Sequence, residues 1–324
     1  MIRRGGTVFL QQREASVFIV AVLLVIYFGF ISSASSSFFT QNNIANVADA
    51  TAPYALLAVG EVFLLICGEI DLAVGFVWTL SPFLMFFFTT YYHFPLFLAI
   101  VAALLCGLLI GLINGVLVVV LRLPSFVATL GTGFVLYGFT LTTSAAQEKS
   151  LPANSGAVGK LFGGYIWAEI LWCVVVVIIA QIVLNRTRWG LHTIAVGGNL
   201  VGASEAGISV ARIKLGNFMV TSLLGALAGI LEAFRVGTID PSAGGYTPMF
   251  YAVAAAVIGG TALAGGSGTV IGAFVGMLVL AILQDGFNLL GISSNPYLII
   301  LGVAIIGAMV ANVYLTRLRR AGRS

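Results

Sequence analysis

Two carboxylates stand inside an otherwise apolar stretch, in the segment Gly68-Glu69-Ile70-Asp71-Leu72-Ala73-Val74-Gly75. A charged side chain at the centre of a membrane helix costs at least about 2.5–3.5 kcal/mol on insertion scales, so acids placed there are candidates for function. Glu69 and Asp71 could form a proton or cation site. They could equally anchor a break between two helices. An Asp before an apolar run accepts orphan N–H groups of the following helix, and Asp71 precedes such a run. The expectation is that both acids sit at the cytoplasmic end of two spans, against water or helix-start N–H groups.

A second segment, Gly197-Gly198-Asn199-Leu200-Val201-Gly202-Ala203-Ser204-Glu205-Ala206-Gly207-Ile208, is small and polar and lies between long apolar runs. Arg186 and Arg188 precede it, and Arg212 and Lys214 follow it. Basic flanks place a short loop of a membrane protein in the cytoplasm. The loop then offers a short helix there, with Asn199 or Ser204 capping or orienting it and Glu205 facing basic residues on a partner. Gly197, Gly198 and Gly207 complete this candidate coupling site. The alternative is a solvated loop helix that engages nothing.

Further polar and aromatic side chains fall within apolar runs: Trp78, Asn114, Phe126, Thr129, Gln284, Asn288 and Tyr297. Amides and aromatic faces suit a sugar, the first bonding hydroxyls and the second stacking on its apolar ring face. Each is also suited to an interhelical hydrogen bond or an interfacial anchor. Together with Asp71, all but Tyr297 form the candidate translocation pathway. Glu232 and Arg235, at i and i+3, are placed to pair on one helix face.

Gly259-Gly260-Thr261-Ala262-Leu263-Ala264-Gly265-Gly266-Ser267-Gly268 forms a second, uncharged break. Gly266-Ser267-Gly268 with Gly272 loosely resembles a nucleotide loop but lacks the Gly-Lys-Ser/Thr that holds phosphates. The chain has no Walker A motif, so any ATP hydrolysis belongs to another subunit and no cofactor is expected here. Cys67, Cys106 and Cys173 lie in apolar runs, and His93 and His192 are isolated, which gives neither a disulfide nor a metal site.

The elements that must hold these residues are helices in lipid. Of 324 residues, 60% are hydrophobic and 8% charged, against about 25% charged in soluble domains. The fold class expected is all-α: one polytopic transmembrane bundle over residues 1–324, with broken helices and a cytoplasmic coupling helix. At roughly 20 apolar residues per span, the spans read 16–37, 53–70, 73–92, 95–121, 125–145, 165–184, 213–235, 249–264, 269–290 and 297–316, about ten. The first follows a basic start but has no cleavage pattern, so it reads as an uncleaved span.

An even number of spans with the N-terminus inside puts both termini in the cytoplasm. That map leaves 12 of the 15 Lys+Arg cytoplasmic, the exceptions being Lys149, Lys160 and Arg235. The net charge of +4 comes with basic tails (Arg3, Arg4, Arg13; Arg317, Arg319, Arg320, Arg323) and reads as a topology signal, not a nucleic-acid footprint. Loops 146–164 and 236–248 fall outside and are rich in turn residues. Non-helical backbone at membrane depth is allowed only when buried in protein or lining a cavity. Breaks at corresponding places in two halves often mark a transport pathway. Here Gly68, Glu69 and Gly75 answer to Gly259, Gly260, Gly265 and Gly266. A faint repeat, Leu72-Ala73-Val74-Gly75 against Leu263-Ala264-Gly265-Gly266, accompanies them.

Several pieces together resemble a known family. Residues 68–75 are similar to a Gly-Gly-Ile-Asp-Leu-Ser-Val-Gly motif. Asn114-Gly115, the run Leu123 to Thr132, Gly197-Gly198-Asn199, Ala206-Gly207-Ile208, Leu227 to Ala233, Val257 to Gly272 and Gly286 to Ser294 follow in the same order. The chain resembles ABC importer permeases for ribose and related monosaccharides, within a wider group that includes branched-chain amino acid and nucleoside permeases.

The resemblance implies a second permease copy or paralogue around a central pathway. It implies two cytoplasmic ATPase subunits on 197–208 and an extracytoplasmic substrate-binding protein, all in a bacterial plasma (inner) membrane. Three departures bear on the substrate: Glu69 replaces a usual glycine, the stretch after Tyr246 lacks acids common in sugar members, and Gln284-Asp285 stands where an Asn pair is common. The expected function is the permease subunit for a monosaccharide or similar polyol. The alternatives are a nucleoside or amino-acid importer, or an ion-coupled secondary transporter using Glu69 and Asp71.

Overall fold

A computed structural model describes residues 15–152, 156–165 and 167–292 and isolated positions between 299 and 310. Its helices, in chain order, are α1 (Ala15–Ile26, extended by a π-helical turn Tyr27–Ile31), α2 (Ser35–Phe38), α3 (Gln41–Ile66), α4 (Val74–Thr90), α5 (Leu96–Val119) and α6 (Ser125–Ser144). They continue as α7 (Gly156–Gly159, with a π-helical turn Lys160–Gly164), α8 (Ala168–Arg186), α9 (Arg188–Gly198), α10 (Leu200–Glu205), α11 (Val210–Val236), α12 (Tyr246–Ile258) and α13 (Val270–Leu289). Two residues each of β1 (Lys149–Ser150) and β2 (Thr238–Ile239) pair antiparallel, Lys149 opposite Ile239.

Six of the described helices (α3, α5, α6, α8, α11 and α13) are long and apolar enough to cross a membrane, and three shorter apolar ones accompany them. This is an all-α polytopic bundle. The expected tenth span, 297–316, and both basic tails lie outside the residues described as continuous structure, as does Tyr297.

Four expected boundaries are corrected. The span expected to begin at residue 53 starts at Gln41, because Thr40 caps it by accepting from the Asn43 N–H at 3.4 Å. Its first three turns carry polar residues, which hid them from a hydropathy reading. Yet Asn43 is buried and donates to Asp285 at 2.7 Å, and Asp49 pairs with Arg235. The span expected to end at 264 stops at Ile258, where Gly259 and Gly260 end the helix. The first span, expected to reach 37, ends at Ile31. Segment 197–208 holds the end of one helix and a second short one, not a single helix.

α3 and α11 form the centre. Some 83% of the most apolar window of α3 is buried, against 28% for α6. Apolar side chains such as Val135 on α6 and Leu171 on α8 face outward, which suits lipid-facing positions. Small residues let the central helices approach closely: Gly60 of α3 packs on Thr221 of α11, and Gly111 of α5 on Phe218. Leu56, Leu64, Phe83, Phe218, Ile230 and Leu231 are fully buried around them.

Three contacts fix the relative directions. Thr221 Oγ1 donates to Gly60 O at 3.0 Å, Asn217 Nδ2 to Phe63 O at 3.3 Å, and Arg235 meets Asp49, so α3 runs antiparallel to α11. Val74 lies against Gly225 and Trp78 against Gly229, so α4 runs parallel to α11 and begins partway along it.

Candidate functional site

The chain between α3 and α4 does not turn at the bundle's end; it climbs into the bundle. Glu69 pairs with Lys214, in the second turn of α11. Asp71 instead meets Ser222, whose Oγ donates to it at 3.4 Å. Ser222 lies twelve residues beyond Val210, about 18 Å up α11 at 1.5 Å per residue. The expectation that both acids share the bundle's boundary is therefore corrected: the salt bridge holds Glu69 near that boundary, while Asp71 stands at mid-depth.

Asp71 is fully buried and well partnered. Its carboxylate accepts from the Ala73 N–H at 2.8 Å and from Asn114 Nδ2 at 3.2 and 3.3 Å. The Asp71 N–H donates to Glu61 Oε2 at 3.5 Å, and the Leu72 N–H to Thr129 Oγ1 at 3.0 Å. Asp71 therefore closes the turn entering α4, holding negative charge at the positive end of that helix. Side chains from α3, α5, α6 and α11 converge on this one break.

A second chain reaches the same depth from the opposite end. After Gly237 ends α11 in a left-handed conformation, residues 240–245 descend along α4. The Gly245 N–H donates to Gly75 O at 2.9 Å, and Gly244 lies on Thr79. A Cβ at Gly75 would overlap the Gly245 carbonyl, so glycine is required at that close approach. α12 starts here, so the N-termini of α4 and α12 meet inside the bundle.

The uncharged break, 259–269, stays at the end where α3 finishes. The Gly266 N–H donates to Ile66 O at 2.8 Å. Gly265 and Gly266, both at positive φ, lie against Gly197 and Gly198. Gly68, also at positive φ, joins the same cluster. The end of α9 thus touches both helix breaks at once. Beyond it, Asn199 Oδ1 accepts from the Gly202 N–H at 2.9 Å and caps α10. Ala203 is buried against Cys67, Val196 and Ile213, while Val201, Ser204, Glu205 and Gly207 are exposed. Gly207 takes φ +81°, and leads the chain back toward α11.

The seven pathway candidates fall in four places. Asp71, Asn114 and Thr129 come together in the buried network. Trp78 lies one turn above it, buried against Gly229 and beside Tyr54, with ring centroids 5.1 Å apart. Phe126 is exposed on the first turn of α6. Gln284 and Asn288 sit at the far end of α13, where they line a separate cavity of about 360 Å³ with Asn43, Asn46 and Asp285.

Two sets of residues were missed. Glu61 and Ser222 complete the Asp71 network. Arg235 meets Glu232 at 2.6 Å, as expected for that pair, but also Glu169 at 3.1 Å and Asp49 at 3.8 Å, joining α11 to α8 and α3. Glu61 and Glu169 each stand in an apolar run, where an acid is a candidate for function just as Glu69 and Asp71 are. Among the described residues, no group of His, Cys, Asp and Glu is arranged to hold a metal ion.

Residues 43–309 match the family described as branched-chain amino acid transport system / permease component. The xylose/arabinose import permease protein of Sulfolobus acidocaldarius is 35% identical over 316 residues, covering 95% of this chain and 86% of the relative. The ribose import permease protein of Escherichia coli strain K12 is 34% identical, covering 90% and 92%. The fructose import permease protein of Rhizobium meliloti is 30% identical, covering 95% and 88%. No solved structure matches the chain.

Proposed function

Because this chain belongs to the branched-chain amino acid transport system / permease component family, we propose that it is the transmembrane subunit of an ATP-binding-cassette importer for a monosaccharide or similar polyol. The relatives named for xylose/arabinose, ribose and fructose import support that substrate class. In this reading two such subunits, identical or paralogous, enclose the pathway. Two ATPase subunits dock on the cytoplasmic segment 197–208, and an external binding protein delivers the sugar. Both termini lie in the cytoplasm of a bacterial-type plasma membrane.

The observation that carries the reading is the placement of 197–208. Gly197 lies against Ile66, at the edge of the first helix break, and against Gly266 within the second, which Gly198 also touches, while Val201, Ser204 and Glu205 are exposed. A push on α10 by a nucleotide-driven partner is transmitted by backbone contact to the two places where the helices are discontinuous. The ion-coupled alternative is disfavoured by the pairing of Glu69 with Lys214 and by the enclosure of Asp71 among Asn114, Ser222 and Ala73.

Co-purification from native membranes tests the docking. The wild type retains an ATPase subunit. Glu205→Arg inverts the exposed charge and Gly207→Pro cannot adopt φ +81°, so both variants lose the subunit while remaining inserted. Full retention by both variants would remove 197–208 as the docking segment.

A further inference from the structure

A cavity of about 210 Å³ opens beside the end of α11 farthest from α10, between α4, α11 and the β1–β2 ribbon. Its lining includes Trp78, Thr79, Glu148, Glu232, Asp240 and Ala243. The floor is made by Trp78, Thr79 and Ala243, next to the joint where Gly244 and Gly245 meet Gly75 and Thr79. The cavity therefore ends where the two re-entering chains close the middle of the bundle.

The chemistry of the walls is uniform in sign. Glu148, Glu232 and Asp240 contribute three carboxylates, and the lining contains no Lys or Arg. Glu232 is held in place by two bonds from Arg235, at 2.9 and 2.6 Å, and each of its oxygens keeps acceptor capacity. Asp240 is oriented by the Ser242 N–H at 2.7 Å. Trp78 is 3% exposed, and its indole N–H donates to no other described residue. The ring is fixed between Gly229 and Tyr54.

We infer that this cavity is a transfer subsite for a neutral monosaccharide, and that it rejects sugar phosphates, sugar acids and amino acids. The inference rests on the importer reading above and adds to it the place and the charge of the ligand. Hydroxyl groups are donors, and the carboxylates accept from them. Trp78 is 3% exposed, so it offers the cavity its indole edge and not a ring face, and its N–H donates to a ring or hydroxyl oxygen of the sugar. A phosphate or carboxylate on the ligand would meet the like charges of Glu148 and Asp240, while Glu232 is already paired with Arg235. The size agrees: the cavity has the volume of about seven liquid waters at roughly 30 Å³ each, and is smaller than the roughly 300–1,000 Å³ clefts that take drug-sized molecules. This space matches one sugar ring.

The test uses the complete transporter, with its co-purified ATPase and its binding protein, in proteoliposomes. Uptake of labelled D-ribose, D-xylose and D-fructose is measured beside ATP hydrolysis stimulated by the binding protein. Trp78→Ala should lower the sugar moved per ATP by roughly five- to tenfold, the loss expected from one hydrogen bond, while stimulated hydrolysis persists. Trp78→Phe, which keeps an aromatic ring in the core but removes the N–H, should lower the ratio nearly as much, and Asp240→Asn, which keeps its loop bond to Ser242, should lower it roughly two- to threefold. A Trp78→Ala protein with wild-type coupling, or an Asp240→Asn protein indistinguishable from wild type, would overturn the assignment of this cavity while leaving the importer reading intact. ATP-driven uptake of a phosphorylated or acidic sugar in place of the three neutral ones would overturn the stated charge preference. A wild-type complex that moves no sugar at all would overturn both readings.

Discussion

The two helix breaks differ in what fills them. Residues 67–73 climb to mid-depth and carry two carboxylates, of which Asp71 reaches that depth; residues 259–269 remain at the end of the bundle and carry none. The first break opens a helix N-terminus among apolar neighbours, and Asp71 satisfies it with the help of Asn114 and Ser222. The second only needs backbones to approach, and Gly265 and Gly266 let it meet Ile66, Gly197 and Gly198. Burial depth decides which device is used. Buried N–H groups far from water require an acceptor, whereas a break at the bundle's end can satisfy its backbone locally.

That contrast orders the expected effects of substitution. Asp71→Ala should be the most damaging, because it orphans the Ala73 N–H, Asn114 Nδ2 and Ser222 Oγ together. At about 1–3 kcal/mol per orphaned group, we expect a loss of at least about 3 kcal/mol in a reversible detergent-unfolding titration. Asp71→Asn keeps an acceptor oxygen and should fall well short of that. Equal stability of the alanine variant and wild type would show that the charge at depth is not what holds the break.

Gly266→Ala should be next. It places a side chain at φ +75° and within contact distance of Gly198, at about 1–2 kcal/mol for the backbone conformation alone. Hydrogen exchange in 197–208 should quicken in this variant while exchange around Asp71 stays as in wild type. Faster exchange at both breaks would erase the distinction between them.

Asn199→Ala removes the cap of α10 and should lower local stability by about 1 kcal/mol, seen as faster exchange confined to residues 202–205. Glu69 and Lys214 lie near the bundle's end with side chains 12% and 14% exposed. A double-mutant cycle with Glu69→Gln and Lys214→Gln should give a coupling smaller than the Asp71→Ala loss, because this pair lies nearer to water than Asp71 does. A coupling as large as the Asp71 effect would place Glu69 at comparable depth.

Much of this architecture was legible in the sequence. Apolar runs located the spans because lipid requires them, and the paired glycines and acids located both breaks. Depth was not legible. Hydropathy treats Glu69 and Asp71 alike, and only the pairing of one with Lys214 and the other with Ser222 separates them. The first turns of α3 were hidden for the opposite reason: Asn43 and Asp49 look like loop residues until Asp285 and Arg235 are seen to partner them. The scatter of Trp78, Phe126 and Gln284 follows from helix rotation, which depends on neighbours that a single strand of sequence does not name. The contact of Gly197 with both breaks joins residues more than 60 positions apart, and no local pattern announces it.

The most direct test of the whole account is sugar uptake by the reconstituted transporter with and without ATP, binding protein and an ionophore that collapses ion gradients. The account predicts uptake that requires ATP and the binding protein, is unchanged by the ionophore, and disappears in Glu205→Arg. Uptake that proceeds without ATP and stops with the ionophore would contradict it, and would return Glu69 and Asp71 to consideration as an ion site.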